Sequence, residues 1–149
     1  METIGHHTCS NSGGYDYVFN NAPFIAKYNQ YKKPFLGRGY YFWEDNIGAA
    51  HIWGNDNYNG EYYILQADIT FDNIHLFDIV GSRMDQKKLK MLKEQFEENG
   101  YDRGSWKLGH FIEFLKKINL RSETYGIFPY KVVRTMDLGP DPGYQVSFI

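Results

Sequence analysis

The sequence predicts an α+β fold built on a mostly antiparallel sheet with flanking helices, and three observations carry that expectation. Short runs of aromatic and β-branched residues recur near both ends and in the middle of the chain, which is the composition of half-buried strands. From Met84 the apolar period lengthens, so that Leu89, Leu92 and Phe96 fall at helical spacing. Aromatic residues make up 18% of the chain, too many for a disordered segment and suited to a packed core with ring-lined clefts. A length of 149 residues suffices for one hydrophobic core, so a single domain over 1–149 is expected.

Residues 1–8 read as a first strand and 9–14 as a loop of small and polar residues. Asn20-Asn21-Ala22-Pro23 reads as a helix start, since Asn caps and Pro is tolerated in the first turn. That helix is expected to run to about Tyr31 and to be broken by Pro34. Tyr40-Tyr41-Phe42-Trp43 forms the next strand, and Glu44-Asp45-Asn46 caps a short helix over 47–53 that Gly54 stops. Residues 55–60 then make a turn-rich loop. Residues 61–70 and 74–77 read as a strand pair around an Asp72-Asn73 turn.

Two helices follow: one behind an Asp85 cap and ahead of Gly100, the other starting at Ser105 with Leu108, Phe111, Ile112, Leu115 and Ile118 on one face. Strands over 131–135 and 145–149 flank the turn Gly139-Pro140-Asp141-Pro142-Gly143. The sheet is thus interrupted by a helical insertion over about 84–120.

Charge narrows the function classes. Sixteen basic against eighteen acidic residues give a net charge of −2, which argues against holding nucleic acid by bulk charge. The insertion is the basic part: between Arg83 and Arg121 ten basic residues stand against six acidic ones. A solvated face, with Lys87, Lys88, Lys90 and Lys93 set against Glu94, Glu97 and Glu98, explains this, and a docking surface for an anionic target is the alternative. One cysteine, Cys9, excludes an intramolecular disulfide framework and a multi-thiolate zinc site. The first ten residues lack the basic start and apolar run of a secretion signal. No apolar stretch approaches the roughly 20 residues of a membrane helix. A soluble, cytoplasmic protein without a membrane partner is expected.

Three motif readings fail. Asn55-Asp56-Asn57-Tyr58-Asn59-Gly60 has calcium-loop spacing, but the first, third and fifth positions are neutral and the twelfth is Gln66. Gly37-Arg38-Gly39 has Phe42 where a dinucleotide fingerprint needs its third glycine, and it precedes a strand. His6, His7 and Cys9 have no second cluster to complete a coordination sphere, and Cys9 lacks support as a nucleophile, so no metal is expected.

What remains is a histidine at the end of the first strand, an aromatic strand entered through Gly-x-Gly, a short helix after it, and a polar residue opening the last strand. In that order His7-Thr8-Cys9-Ser10, Gly37-Arg38-Gly39-Tyr40-Tyr41-Phe42, Ile47-Gly48-Ala49-Ala50-His51 and Gln145-Val146-Ser147-Phe148 resemble the motifs of the ADP-ribosyltransferase fold. The resemblance is to its poly(ADP-ribose) polymerase-like, or diphtheria-toxin-like, branch. It covers the two ends and the middle of the chain, residues 62–78 included, but not the insertion. The Gly-x-Gly-x-Tyr-Phe element is its specific part.

The resemblance implies a split, mostly antiparallel sheet and NAD as co-substrate, with no metal. It implies cleavage of the nicotinamide–ribose bond through an oxocarbenium-like state, for which the protein mainly positions groups. His7, Tyr41 and Gln145 would be catalytic, and His7, Thr8, Gly39, Tyr40, Tyr41, Ala49 and Trp53 would hold the dinucleotide. His7 would meet a ribose hydroxyl, the Tyr41 ring would stack on nicotinamide, and the Thr8 backbone would hold the carboxamide.

Three departures matter. Gln145 stands where the branch has Glu, and it cannot supply that negative charge; Glu123 and Asp141 are candidate substitutes. Ala49 replaces a serine that touches nicotinamide. The second stacking aromatic falls near Ile52, with Trp53 adjacent.

The reading is a small toxin-type mono-ADP-ribosyltransferase acting on a macromolecule, protein or nucleic acid, with an antitoxin or phage-defence context. The alternatives are a catalytically weak or inactive NAD- or ADP-ribose-binding interaction module, favoured by Gln145, and hydrolysis of NAD without transfer.

Overall fold

The computed structural model describes residues 1–101, 106–136 and 144–148. Strand β1 (Glu2–Ser10) pairs antiparallel with β3 (Tyr62–Thr70), from Glu2 opposite Thr70 to Ser10 opposite Tyr62. On its other side β1 meets β2 (Tyr40–Glu44), where Gly5 faces Glu44 and His6 faces Trp43 before the registered pairing ends. Strand β2 pairs along its length with β6 (Tyr144–Phe148), and β6 with β5 (Val132–Met136), both antiparallel. Strand β4 (Leu76–Asp78) adds to β5 in parallel, giving the order β3-β1-β2-β6-β5-β4. The fold is α+β. The turn expected over 139–143 lies outside the described residues.

Several expectations are corrected. The first strand runs two residues further than the reading of 1–8, to Ser10. The first helix, α1 (Gly14–Asn21), precedes Pro23 instead of starting there. Asn20 and Asn21 do not cap a start; their amides donate to the carbonyls of Asp16 and Tyr17 four residues back. Proline just beyond a helix end is as natural as proline at its beginning, and residues 22–39 form an irregular segment closed by a bridge between Ala26 and Gly39.

Helix α2 (Ile47–Tyr58) starts where expected, with the Asn46 side chain accepting from the Ala49 N–H at 2.9 Å. It runs through Gly54 and most of the predicted 55–60 loop, ending at Tyr58 ahead of the left-handed Asn59. Gly54 is there for close approach: a Cβ would sit 2.5 Å from the Tyr62 ring, so the missing side chain lets α2 lie flat on β3.

The strands at 62–70 and 76–78 do not pair. They form opposite edges of the sheet, separated by a 3-10 turn over Asn73–His75 that Asp72 caps. Helix α3 (Arg83–Glu98) is capped by Ser82, whose hydroxyl accepts from the Asp85 N–H, while the Asp85 carboxylate accepts from the Asp78 N–H. Helix α4 (Leu108–Asn119) begins after Ser105, which lies outside the described residues.

These two helices supply the largest core. Leu92 of α3 and Phe111, Ile112, Leu115 and Ile118 of α4 close on Phe77 and Val133 of the sheet, with Leu36 and Phe128. Each such side chain stabilises the fold by roughly 1.5–3 kcal/mol on burial. A smaller cluster joins Phe42, Ile69, Phe71, Leu76 and Val132. A third sets Trp43 against Ala49 and Ala50, small residues that bring α2 close to the strands. Arg134 ties the strands laterally, donating to buried Glu44 at 2.7 Å and to Asp78 at 3.1 Å.

Candidate functional site

Where β1 and β2 stop pairing, a cleft of about 760 Å³ opens. Its walls are the end of β1 (His7, Thr8, Cys9), Tyr41 and Trp43 of β2, the second half of α2 and the irregular segment 24–35. A seam between strands exposes side chains that a continuous sheet would cover. Here it gathers residues more than thirty positions apart.

His7 is buried, and both of its ring nitrogens are engaged. The Phe24 N–H donates to Nε2 at 3.1 Å, so Nδ1 carries the proton and donates to the Tyr41 carbonyl at 2.9 Å. Burial holds its pKa below the ordinary histidine value, with the bond to Tyr41 pulling the other way. The ring therefore ties segment 24–35 and β2 to β1.

Tyr41 is half-buried, packing against the large core while lining the cleft. Its hydroxyl donates to the Gly37 carbonyl at 2.7 Å and accepts from the Leu36 N–H at 2.8 Å. Burial raises the phenol pKa far above its usual range, against the Leu36 hydrogen bond and with a further push from Glu113. Gly37 has φ +85°, and Glu113 lies where its Cβ would be; the tight turn before β2 needs this glycine. Gly39 closes the same turn, exchanging two backbone hydrogen bonds with Ala26.

Thr8 and Trp53 also line the cleft. The Thr8 hydroxyl donates to the Ala50 carbonyl at 2.9 Å, fixing α2 against β1. Trp53 is 45% exposed, with its ring 6.3 Å from that of Trp43. Ala49 is buried beneath this wall and Tyr40 is on the exposed side of β2, so neither lines the cleft. Ile52, beside Trp53, is also outside the lining. The register sets Gln145 opposite Trp43 on β2 and Thr135 on β5. Glu123 is exposed in the turn after α4, away from the cleft lining, and Asp141 lies outside the described residues.

Sequence reasoning missed part of the wall. Lys27, Lys32 and Lys33 line it together with Asn29, Phe24, Phe35 and Tyr58, and nothing in their local pattern marks them as facing a cavity. Among the described residues no Asp or Glu lines the cleft. Burial pushes the Cys9 thiol up, which keeps it protonated and a poor nucleophile. Among the described residues no group of three His, Cys, Asp or Glu is placed to hold a metal, and no helix is long and apolar enough to cross a membrane. Comparison with protein-family models, curated proteins and solved structures finds no match.

Proposed function

We propose that the cleft binds NAD and that the protein transfers its ADP-ribose to a macromolecular acceptor. The observation that carries this reading is the meeting of His7, Thr8, Tyr41 and Trp53 around one cleft at a split in the sheet. In the reaction the bond between C1′ of the ribose and the nicotinamide nitrogen breaks, and its electron pair leaves with nicotinamide. The acceptor's nucleophile forms the new bond at C1′ and gives up its proton. The chain's work is positional: the Tyr41 and Trp53 rings sandwich the nicotinamide, and the strand end at His7 and Thr8 orients the ribose and carboxamide. The toxin-type role and an antitoxin partner belong to this proposal and depend on transfer.

One observation favours a second reading, a module that binds NAD or ADP-ribose without cleaving it. No carboxylate lines the cleft among the described residues, and the residue opposite Trp43 is Gln145. The test is nicotinamide release from labelled NAD by the purified protein, with and without lysate containing protein and RNA. Trp53→Ala serves as control, because it removes one of the two proposed stacking rings from the cleft wall, with a thermal melt to show that the variant is folded. Label on a lysate component, lost in Trp53→Ala, supports transfer and shows the acceptor class; release without label supports hydrolysis. Binding with neither overturns transfer in favour of the module.

A further inference from the structure

The three lysines of the cleft wall, Lys27, Lys32 and Lys33, stand apart from the rings and the strand end that would hold nicotinamide and ribose. They sit on one short segment whose ends are fixed. At one end the Phe24 N–H bonds His7 and Ala26 exchanges hydrogen bonds with Gly39; at the other the Tyr41 hydroxyl holds Leu36 and Gly37. Between them the Asn29 side chain accepts from the backbone N–H groups of Tyr31 and Lys32, both at 2.9 Å, and the Asn29 N–H donates to the Lys32 carbonyl. That turn presents Lys32 and Lys33 along the cleft, with Lys27 beside them. Among the described residues none of the three ammonium groups pairs with a carboxylate, and no Asp or Glu lines the cavity to neutralise them.

In a chain of net charge −2, three lysines that line one ring-walled cleft and pair with no carboxylate among the described residues are not a general basic background. A walled cleft with one sign of charge focuses the field on a ligand inside it. The ligand that meets both parts of this wall has a flat ring system for Tyr41, Trp43 and Trp53 and a dense negative charge for the lysines.

We propose that Lys27, Lys32 and Lys33 form a phosphate clamp, and that it recognises the pyrophosphate of an ADP-ribose-type ligand. This deepens the reading of the cleft as an NAD site and rests on it. Lysine suits the task as a mobile point charge that needs no fixed fork geometry. The rings hold the ligand's flat ends, and the lysines set its bend and its depth.

The experiment measures binding of ADP-ribose, adenosine and inorganic pyrophosphate to the full chain by calorimetry at low and high salt. Wild type is compared with Lys27→Gln, the pair Lys32→Gln/Lys33→Gln, the triple variant, and the triple Lys→Arg variant. The expected result is a loss of ADP-ribose affinity of tenfold or more in the triple Gln variant, a flattened salt dependence, recovery with Arg, and unchanged adenosine binding. All three lysines are exposed, so folding is preserved. ADP-ribose affinity within twofold of wild type in the triple Gln variant overturns the clamp, as does wild type that binds neither ADP-ribose nor pyrophosphate. The two proposals separate in the NAD assay. Lysine-dependent ADP-ribose binding without nicotinamide release sinks transfer and keeps the clamp, whereas an unchanged KM for NAD in the triple Gln variant sinks the clamp and keeps transfer.

Discussion

The half of the molecule around α3 and α4 and the half around the β1/β2 seam use aromatic residues in opposite ways. In the first, Phe77, Phe111 and Phe128 are all but fully buried, and the rings of Phe77 and Phe128 meet edge to face at 5.2 Å. In the second, Tyr41 and Trp53 keep open surface on a cavity, and His7 and Thr8 beside them are buried polar groups, each with a hydrogen-bond partner. Burying apolar area stabilises without requiring direction, while a buried polar group must find a partner. The seam therefore spends its interactions on placement. The helical half supplies most of the burial that lets such a seam persist.

Substitution can break this division, and the largest effect is expected in the helical half. Phe111→Ala leaves a cavity in the main core and should lower unfolding stability by about 3–5 kcal/mol, read as a shifted denaturant midpoint. The molecules still folded should bind ADP-ribose with unchanged affinity. An affinity loss that parallels the stability loss would show that the two halves are not separate.

Tyr41 lies on the boundary, and Tyr41→Phe sharpens the comparison because it keeps the ring. It removes the hydroxyl between Leu36 and Gly37 and leaves a backbone N–H without its partner, costing about 1–3 kcal/mol. Loss of the hydroxyl should loosen the lysine-bearing segment, seen as faster amide exchange over residues 24–38. Tyr41→Ala should then lose NAD use beyond whatever Tyr41→Phe loses. Equal loss in the two variants would assign Tyr41 to anchoring that segment and not to stacking.

Smaller again is Ser82→Ala, which removes the α3 cap. It should cost about 1 kcal/mol and leave every property of the cleft unchanged. Calorimetric melting beside an ADP-ribose titration checks both halves of that statement.

How much of this was legible follows the same division. The rings of 40–43 and the spacing of Leu89, Leu92 and Phe96 announced β2 and α3, because period and residue type are local properties that burial then exploits. The end of α1 was misread, since Asn-Asn-Ala-Pro marks either edge of a helix. Gly54 was misread because its reason, the ring of Tyr62, is eight residues away. The separation of β3 from β4 across the sheet had no local sign, as a strand pattern does not name its neighbour. In the site, His7, Thr8, Tyr41 and Trp53 were visible through motif order. Lys27, Lys32 and Lys33 were not, because their position depends on a loop held by His7 and Tyr41 from other strands.

The pH dependence of stability ought to distinguish the halves most gently. Burial lowers the pKa of His7 in the folded protein, so the unfolded chain binds the proton more readily. Stability should then be greatest above the ordinary histidine value of about 6.5 and fall as pH drops through it toward the lower folded value. One proton sets a ceiling of about 1.4 kcal/mol per pH unit, and just below neutrality only part of a proton is taken up. Protonated Nε2 cannot accept from the Phe24 N–H, so the slope should come with detachment of segment 24–35 while α3 and α4 stay protected from exchange. In His7→Gln the slope should shrink. The same slope in wild type and variant would move the titration to another group and leave the His7–Phe24 bond without a part in holding segment 24–35.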